Sequence, residues 1–169
     1  MLIKRHEIVS LYVTLRDIGP GLTTAKGRWD ATRMRQQLKD FIDCYEVERS
    51  RINEINAPFE AGRLKLCREY CEKDEKKNFK IENGDFIFSE ENKPAFLSKI
   101  DDLKAQYAEA IASFNAEMEK FVLFMNGQVV MEDVAPLFTG RLSLSDFSDK
   151  ISQQQIEALF PFTDPPNPE

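Results

Sequence analysis

Apolar residues recur at helical spacing from Thr32 to Met125, interrupted once by a short stretch with a different pattern. The first run places Met34, Leu38, Phe41, Tyr45, Ile52, Ile55 and Phe59 three or four positions apart, with one skip at Glu48. That spacing predicts a helix with a heptad-like seam. Leu64, Cys67 and Cys71 continue the stripe toward Asp74. Pro58 lacks an N–H and crowds the preceding turn, so a kink or break is expected near Asn56 and Ala57. Unbroken, residues 30–73 would extend about 65 Å at 1.5 Å per residue, against about 40 Å for the width of a compact domain of this size. The expectation is an elongated molecule, or a helix folded back at Pro58.

The interruption is Asn78 to Phe88, where Asn83-Gly84 is a strong signal for a two-residue hairpin turn. In that register Glu82 faces Asp85, Ile81 faces Phe86, Lys80 faces Ile87 and Phe79 faces Phe88, so Phe79, Ile81, Phe86 and Phe88 share one face. A lone hairpin is marginal in water, so this face must pack on the helices or on another subunit, and it is the candidate interface. After a capping region at Ser89 to Pro94, a second helical run carries Phe96, Ile100, Leu103, Tyr107, Ala110, Phe114, Met118 and Phe121. Two seams joined by a short hairpin should pair antiparallel.

The flanks are shorter. Ile8, Leu11, Tyr12, Leu15 and Ile18 predict a helix over residues 4–18, with a strand reading kept open by Val9, Val13 and Thr14, and Gly19-Pro20-Gly21 ends the element. Val129-Val130-Met131 and Leu142-Ser143-Leu144 are strand candidates, and Ser152-Gln153-Gln154-Gln155 reads as a capping box opening a short helix through Leu159-Phe160. Residues 163–169 read as a disordered tail. The fold class is mainly α: an elongated antiparallel helical hairpin with an inserted β-hairpin, plus small α/β C-terminal elements, as a single helical domain over 1–162.

Composition changes this picture little. The 169 residues are 42% hydrophobic and 31% charged, an ordinary globular balance. A net charge of -6 opposes bulk binding to nucleic acid or to an anionic membrane. The distribution is uneven, however: residues 1–39 hold eight basic and three acidic side chains, or +5, leaving -11 for the rest. Cys44, Cys67 and Cys71 form no disulfide framework, and charge at Lys4, Arg5 and Glu7 interrupts any leader-like run, so a reducing, cytoplasmic setting is expected.

The chemically suggestive stretch is Leu22 to Asp30, which gathers Thr23, Thr24, Lys26, Arg28 and the only Trp, Trp29, ahead of the long helix; Arg33 follows one turn on. Hydroxyls and cations at a helix N-terminus suit a phosphate or another anion, with Trp29 stacking on a base. The order of a P-loop is absent. The competing reading makes Thr23 or Thr24 a helix cap and Trp29 a core filler. Cys67 and Cys71, one turn apart, supply two soft ligands, short of a metal site. Asp101 with Asp102, and Glu117 with Glu119, read as solvated faces. With one His and no nucleophile motif, the chain is expected to be no enzyme and to hold no cofactor or metal.

Arg63-Leu64 with Tyr70, the Asn83-Gly84 hairpin, the long helix, Leu142-Ser143-Leu144-Ser145-Asp146-Phe147 with Ile151-Ser152, and Ile156 to Phe162 together resemble a loose group of small uncharacterised phage proteins over about residues 60–162. That resemblance implies a phage or prophage product made in a bacterial cytoplasm, and carries no active site. Helical hairpins capped by β-hairpins also give an architectural analogy to prefoldin. The expected function is an accessory binding protein, anti-defence in character, that sequesters a host protein or a small anionic ligand such as a signalling nucleotide. The alternative is a self-associating virion assembly or chaperone-like protein. Homo-oligomerisation is expected; a membrane role is not, and nucleic acid ranks last.

Overall fold

The computed structural model describes residues 1–135, 142–147, 151–159, 162 and 163. The fold is mainly α, with, among the described residues, two small antiparallel sheets of two strands each. In chain order the elements are β1 (Leu2–Lys4), α1 (Arg5–Ile18), α2 (Ala25–Tyr70), β2 (Ile81–Glu82), β3 (Asp85–Phe86), α3 (Asn92–Gln106), α4 (Ala108–Asn126), β4 (Gln128–Val130), α5 (Met131–Val134) and α6 (Gln153–Leu159). Short 3-10 turns occupy Gly19–Gly21 and Leu144–Asp146. Contacts gather into two compact units, Met1–Val47 with Phe121–Glu169, and Glu48–Lys120.

The first unit is built from distant parts of the chain. Helix α1 buries Ile8, Leu11, Thr14, Leu15 and Ile18, the face its 3.6-residue periodicity defines. Those side chains meet Ala31, Met34 and Leu38 of α2, together with Ile3, Leu22, Met131, Leu142, Leu159 and Phe162. Strand β1 pairs with β4, Ile3 opposite Val129. The Val129-Val130 strand candidate is therefore real but ends at Val130, and Met131 opens α5. Leu142-Ser143-Leu144 is not a strand: Leu142 makes a single parallel bridge to Thr163, and Leu144 enters a 3-10 turn. Thr163, assigned by sequence to the tail, is thus paired; residues 164–169 lie outside the described set. The Ser152 and Gln155 capping box forms, with Gln155 N donating to Ser152 Oγ at 3.3 Å and Ser152 N to Gln155 Oε1 at 2.9 Å.

In the second unit, α2 does not break at Pro58; it runs on to Tyr70. One missing donor costs a single intrahelical bond, and the seam on either side holds, with Ile52 and Phe59 both buried. The second helical run is divided at Tyr107, whose dihedrals leave the helical region before α4 resumes. Ile111 N still donates to Tyr107 O at 2.9 Å, so the division is one residue wide. The antiparallel pairing predicted from the two seams is visible in its contacts. Arg51 bonds Glu117, Gly62 lies against Leu103, and Tyr70 packs on Phe96, so residue numbers rise on one helix as they fall on the other.

The hairpin register matches expectation at Ile81–Phe86 and Glu82–Asp85. Asn83 and Gly84 both take positive φ, 51° and 90°, which is what a two-residue turn of this twist demands. The register carries on in part at Lys80–Ile87, where Ile87 N donates to Lys80 O at 3.1 Å, and departs from prediction at Phe79 and Phe88. Phe79 is bridged to Lys73, because the chain leaving α2 runs alongside the hairpin, with Glu72 N donating to Ile87 O and Lys80 N to Glu72 O. Phe88 instead stacks on Phe96 of α3, ring centroids 4.2 Å apart.

Candidate functional site

The six residues singled out at the start of α2 are built into one corner of the first unit, and the helix begins earlier than its seam suggested. It starts at Ala25, so Lys26, Arg28, Trp29 and Arg33 are helical, and Thr23 and Thr24 precede it. A helix start leaves N–H groups unpaired and carries positive dipole character. Here Thr24 meets part of that demand as the helix cap, and its hydroxyl is held in turn by a carboxylate of the chain itself. Thr24 Oγ1 donates a hydrogen bond to the Asp146 carboxylate and accepts one from Gly27 N at 2.9 Å. Thr23 N and Oγ1 both donate to Asp146 O, at 2.9 and 3.1 Å. The second carboxylate oxygen of Asp146 accepts from Ser143 N at 3.1 Å.

Asp146 is only 4% exposed, one of two buried polar side chains among the described residues. Its position depends on a glycine. A Cβ at Gly27 would stand 2.7 Å from Asp146 Cγ, closer than atoms can approach, so the absent side chain opens the space in which the carboxylate sits. The hydroxyls and a helix following them are legible in the sequence, whereas the helix's first residue, Ala25, and Asp146, more than a hundred residues away, are not. The available signal was an acidic residue within Ser143-Leu144-Ser145-Asp146, a sequence suited to a turn.

The cations do not converge on a common point. Arg28 turns back to donate to Leu22 O at 2.7 Å, and Lys26 pairs with Asp30 one turn on at 3.0 Å. Arg33 is exposed. Trp29, read as a core filler in one alternative, is 70% exposed: it lies on the face of α2 opposite Met34 and Leu38, where the helical period places it. The structure thus brings Thr23 and Thr24 together on Asp146, and leaves Trp29 and Arg33 outward.

A cleft of about 320 Å³ opens beside this corner, lined by Asp17, Ile18, Gly21, Leu22, Phe147, Ile151 and Gln155. Among the described residues that line it, the one charged side chain is Asp17, which disfavours an anionic guest.

At the hairpin, Phe79 and Phe86 meet edge to face at 6.1 Å, Ile81 is 55% exposed, and Phe88 is taken up by α3. The four predicted interface residues therefore divide, with Phe79 and Ile81 the more exposed pair. Cys67 and Cys71 are buried, and burial pushes the Cys67 thiol above its usual range against the opposing pull of Arg63. Among the described residues no group of three or more His, Cys, Asp or Glu is placed to hold a metal, and no helix is long and apolar enough to cross a membrane. The acidic pairs separate: Asp101 reaches Lys104 on the surface, whereas Glu117 bridges Lys120 and Arg51, which hold its carboxyl down at about 2. No family model, curated protein or solved structure matches the chain.

Proposed function

We propose that this chain is an accessory protein of phage type that works by contact, holding a host protein in the bacterial cytoplasm rather than transforming a substrate. The observation that carries the reading is the hairpin. Asn83 and Gly84 set its turn, Phe88 stacks its base on Phe96, and Ile81 and Phe79 stay exposed beside that turn. Exposed apolar side chains gain free energy when a partner covers them and removes them from water. The version with a small anionic ligand has less support, because Asp146 already fills the place that the ligand's charged group would take.

The test uses the immobilised full-length chain and bacterial lysate. One protein should be retained at equal stoichiometry, weakened at least about tenfold by Ile81→Asp and unaffected by Thr24→Ala. Absence of a stoichiometric partner, or one indifferent to Ile81→Asp, would overturn the reading. Heat evolved on calorimetric titration with a cyclic nucleotide panel would return the ligand version to first place.

A second reading, self-association as an assembly subunit, is favoured by the outward face of α2, where Trp29 and Val47 are each 70% exposed.

A further inference from the structure

Seen along α2, the side chains pointing away from the core of the first unit form one continuous stripe: Trp29, Arg33, Gln36, Asp40, Asp43 and Val47, every one exposed. At 100° per residue, these six fall within about 40° of the line through Trp29. The stripe has apolar ends, since Trp29 and Val47 are each 70% exposed, and they lie eighteen residues, or five full turns, apart. Between them the charge changes sign, basic at Arg33 and acidic at Asp40 and Asp43.

We infer that this stripe is the contact with a second copy of the chain, the two α2 helices lying antiparallel about a twofold axis at the level of residue 38. The argument is its self-complementarity. A twofold axis there sets Trp29 of one copy opposite Val47 of the other, Arg33 at the level of Asp43, and Gln36 at the level of Asp40. Every contact then occurs twice, as an isologous interface requires. A parallel arrangement would bring Arg33 to Arg33 and Asp40 to Asp40. Charge complementarity therefore selects both the occupant and its direction. Asp43 already accepts a hydrogen bond from Lys39 of its own helix, and a carboxylate has lone pairs for a second donor.

This inference rests on the reading of the chain as a contact-acting protein, but uses a different surface from the hairpin, so the two fail separately. Trp29 is the only tryptophan, and its emission reports the contact directly. Light scattering on the full-length chain at low salt should give a dimer mass at tens of micromolar, and dilution should move the emission to longer wavelength as Trp29 returns to water. Arg33→Glu alone, or Asp40→Lys with Asp43→Lys, should raise the dimer dissociation constant about tenfold or more. Mixing the two variants should restore dimers, because each then offers the charge the other lacks.

A monomer mass at every concentration, with emission independent of dilution, would overturn the inference without any variant having to fold. A dimer indifferent to both charge reversals would overturn it too, since it would form elsewhere. Neither result bears on a host partner lost with Ile81→Asp.

Discussion

Gly27 and Gly62 both lie in α2, one in each unit, and each has a neighbour where its side chain would be. At Gly27 the neighbour is the carboxylate of Asp146, 2.7 Å from the missing Cβ and tied down by Thr24 and Ser143. At Gly62 it is the tip of Leu103, 3.0 Å away, on a half-buried side chain with no hydrogen bonds to lose. The difference holds for the two units as wholes. The first has Ile8, Leu11, Leu15, Met34, Leu38, Leu142 and Leu159 at or below 1% exposure, drawn from α1, α2, α6 and the segment before the second 3-10 turn. The second has Ile52 alone at that level, and its α4 seam, from Tyr107 through Phe114 and Met118, is only half covered. A closed core fixes what touches it, whereas an open seam can give.

The largest effect should therefore come from the closed core. Leu11→Ala is expected to cost about 3 kcal/mol or more, because α1 is held on several sides and collapses little around a cavity. Urea unfolding followed by circular dichroism measures it, and a loss under 1 kcal/mol would remove the distinction between the units. Next is Gly27→Ala, at about 2 kcal/mol, through expulsion of a buried, hydrogen-bonded carboxylate. Gly62→Ala should fall within about 1 kcal/mol of neutral, since the helix gains what Leu103 concedes. Equal losses at the two glycines would break the comparison.

The smallest effect is electrostatic and belongs to the open seam. Lys120 first and Arg51 second depress the Glu117 carboxyl to about 2, below its ordinary value of 4.5. A depressed folded value means the pairing stabilises the fold above about pH 4.5 and is lost as pH falls toward 2. Glu117→Gln should flatten that part of the stability profile. Because the pair is open to water, added salt should weaken the wild-type effect as well.

How much of this was legible in the sequence follows from how local each signal is. The helix faces of α1 and of α2 as far as Phe59, the Asn83-Gly84 turn and the Ser152 capping box are set by residues within a turn of one another, and they form as read; Leu64, expected to continue the α2 stripe, is exposed instead. Pro58 does not end the helix, because the loss of one hydrogen bond is outweighed by burial of Ile52 before it and Phe59 after it. Trp29 was ambiguous in composition but not in phase, since its angle from Met34 and Leu38 already placed it on the far side. Strand β1 was missed because three residues carry no periodicity, and only the arrival of Gln128–Val130 makes them a strand. The candidate anion site was half legible for the same reason. Thr23, Thr24 and the helix start were local, but the carboxylate that meets them was not.

That first strand also sets an order of events. Leu2–Lys4 finds its partner only when Gln128–Val130 has been made, and the core around Leu11 lacks Leu142 and Leu159 until later still. The second unit, by contrast, is one uninterrupted stretch, Glu48–Lys120. During synthesis it can complete its pairing while α1 still waits on the ribosome for the rest of its core. Contacts spanning more than a hundred residues close slowly. The expected path is therefore helical hairpin first and closed core last, with the apolar face of α1 open to chaperones or to other chains in between.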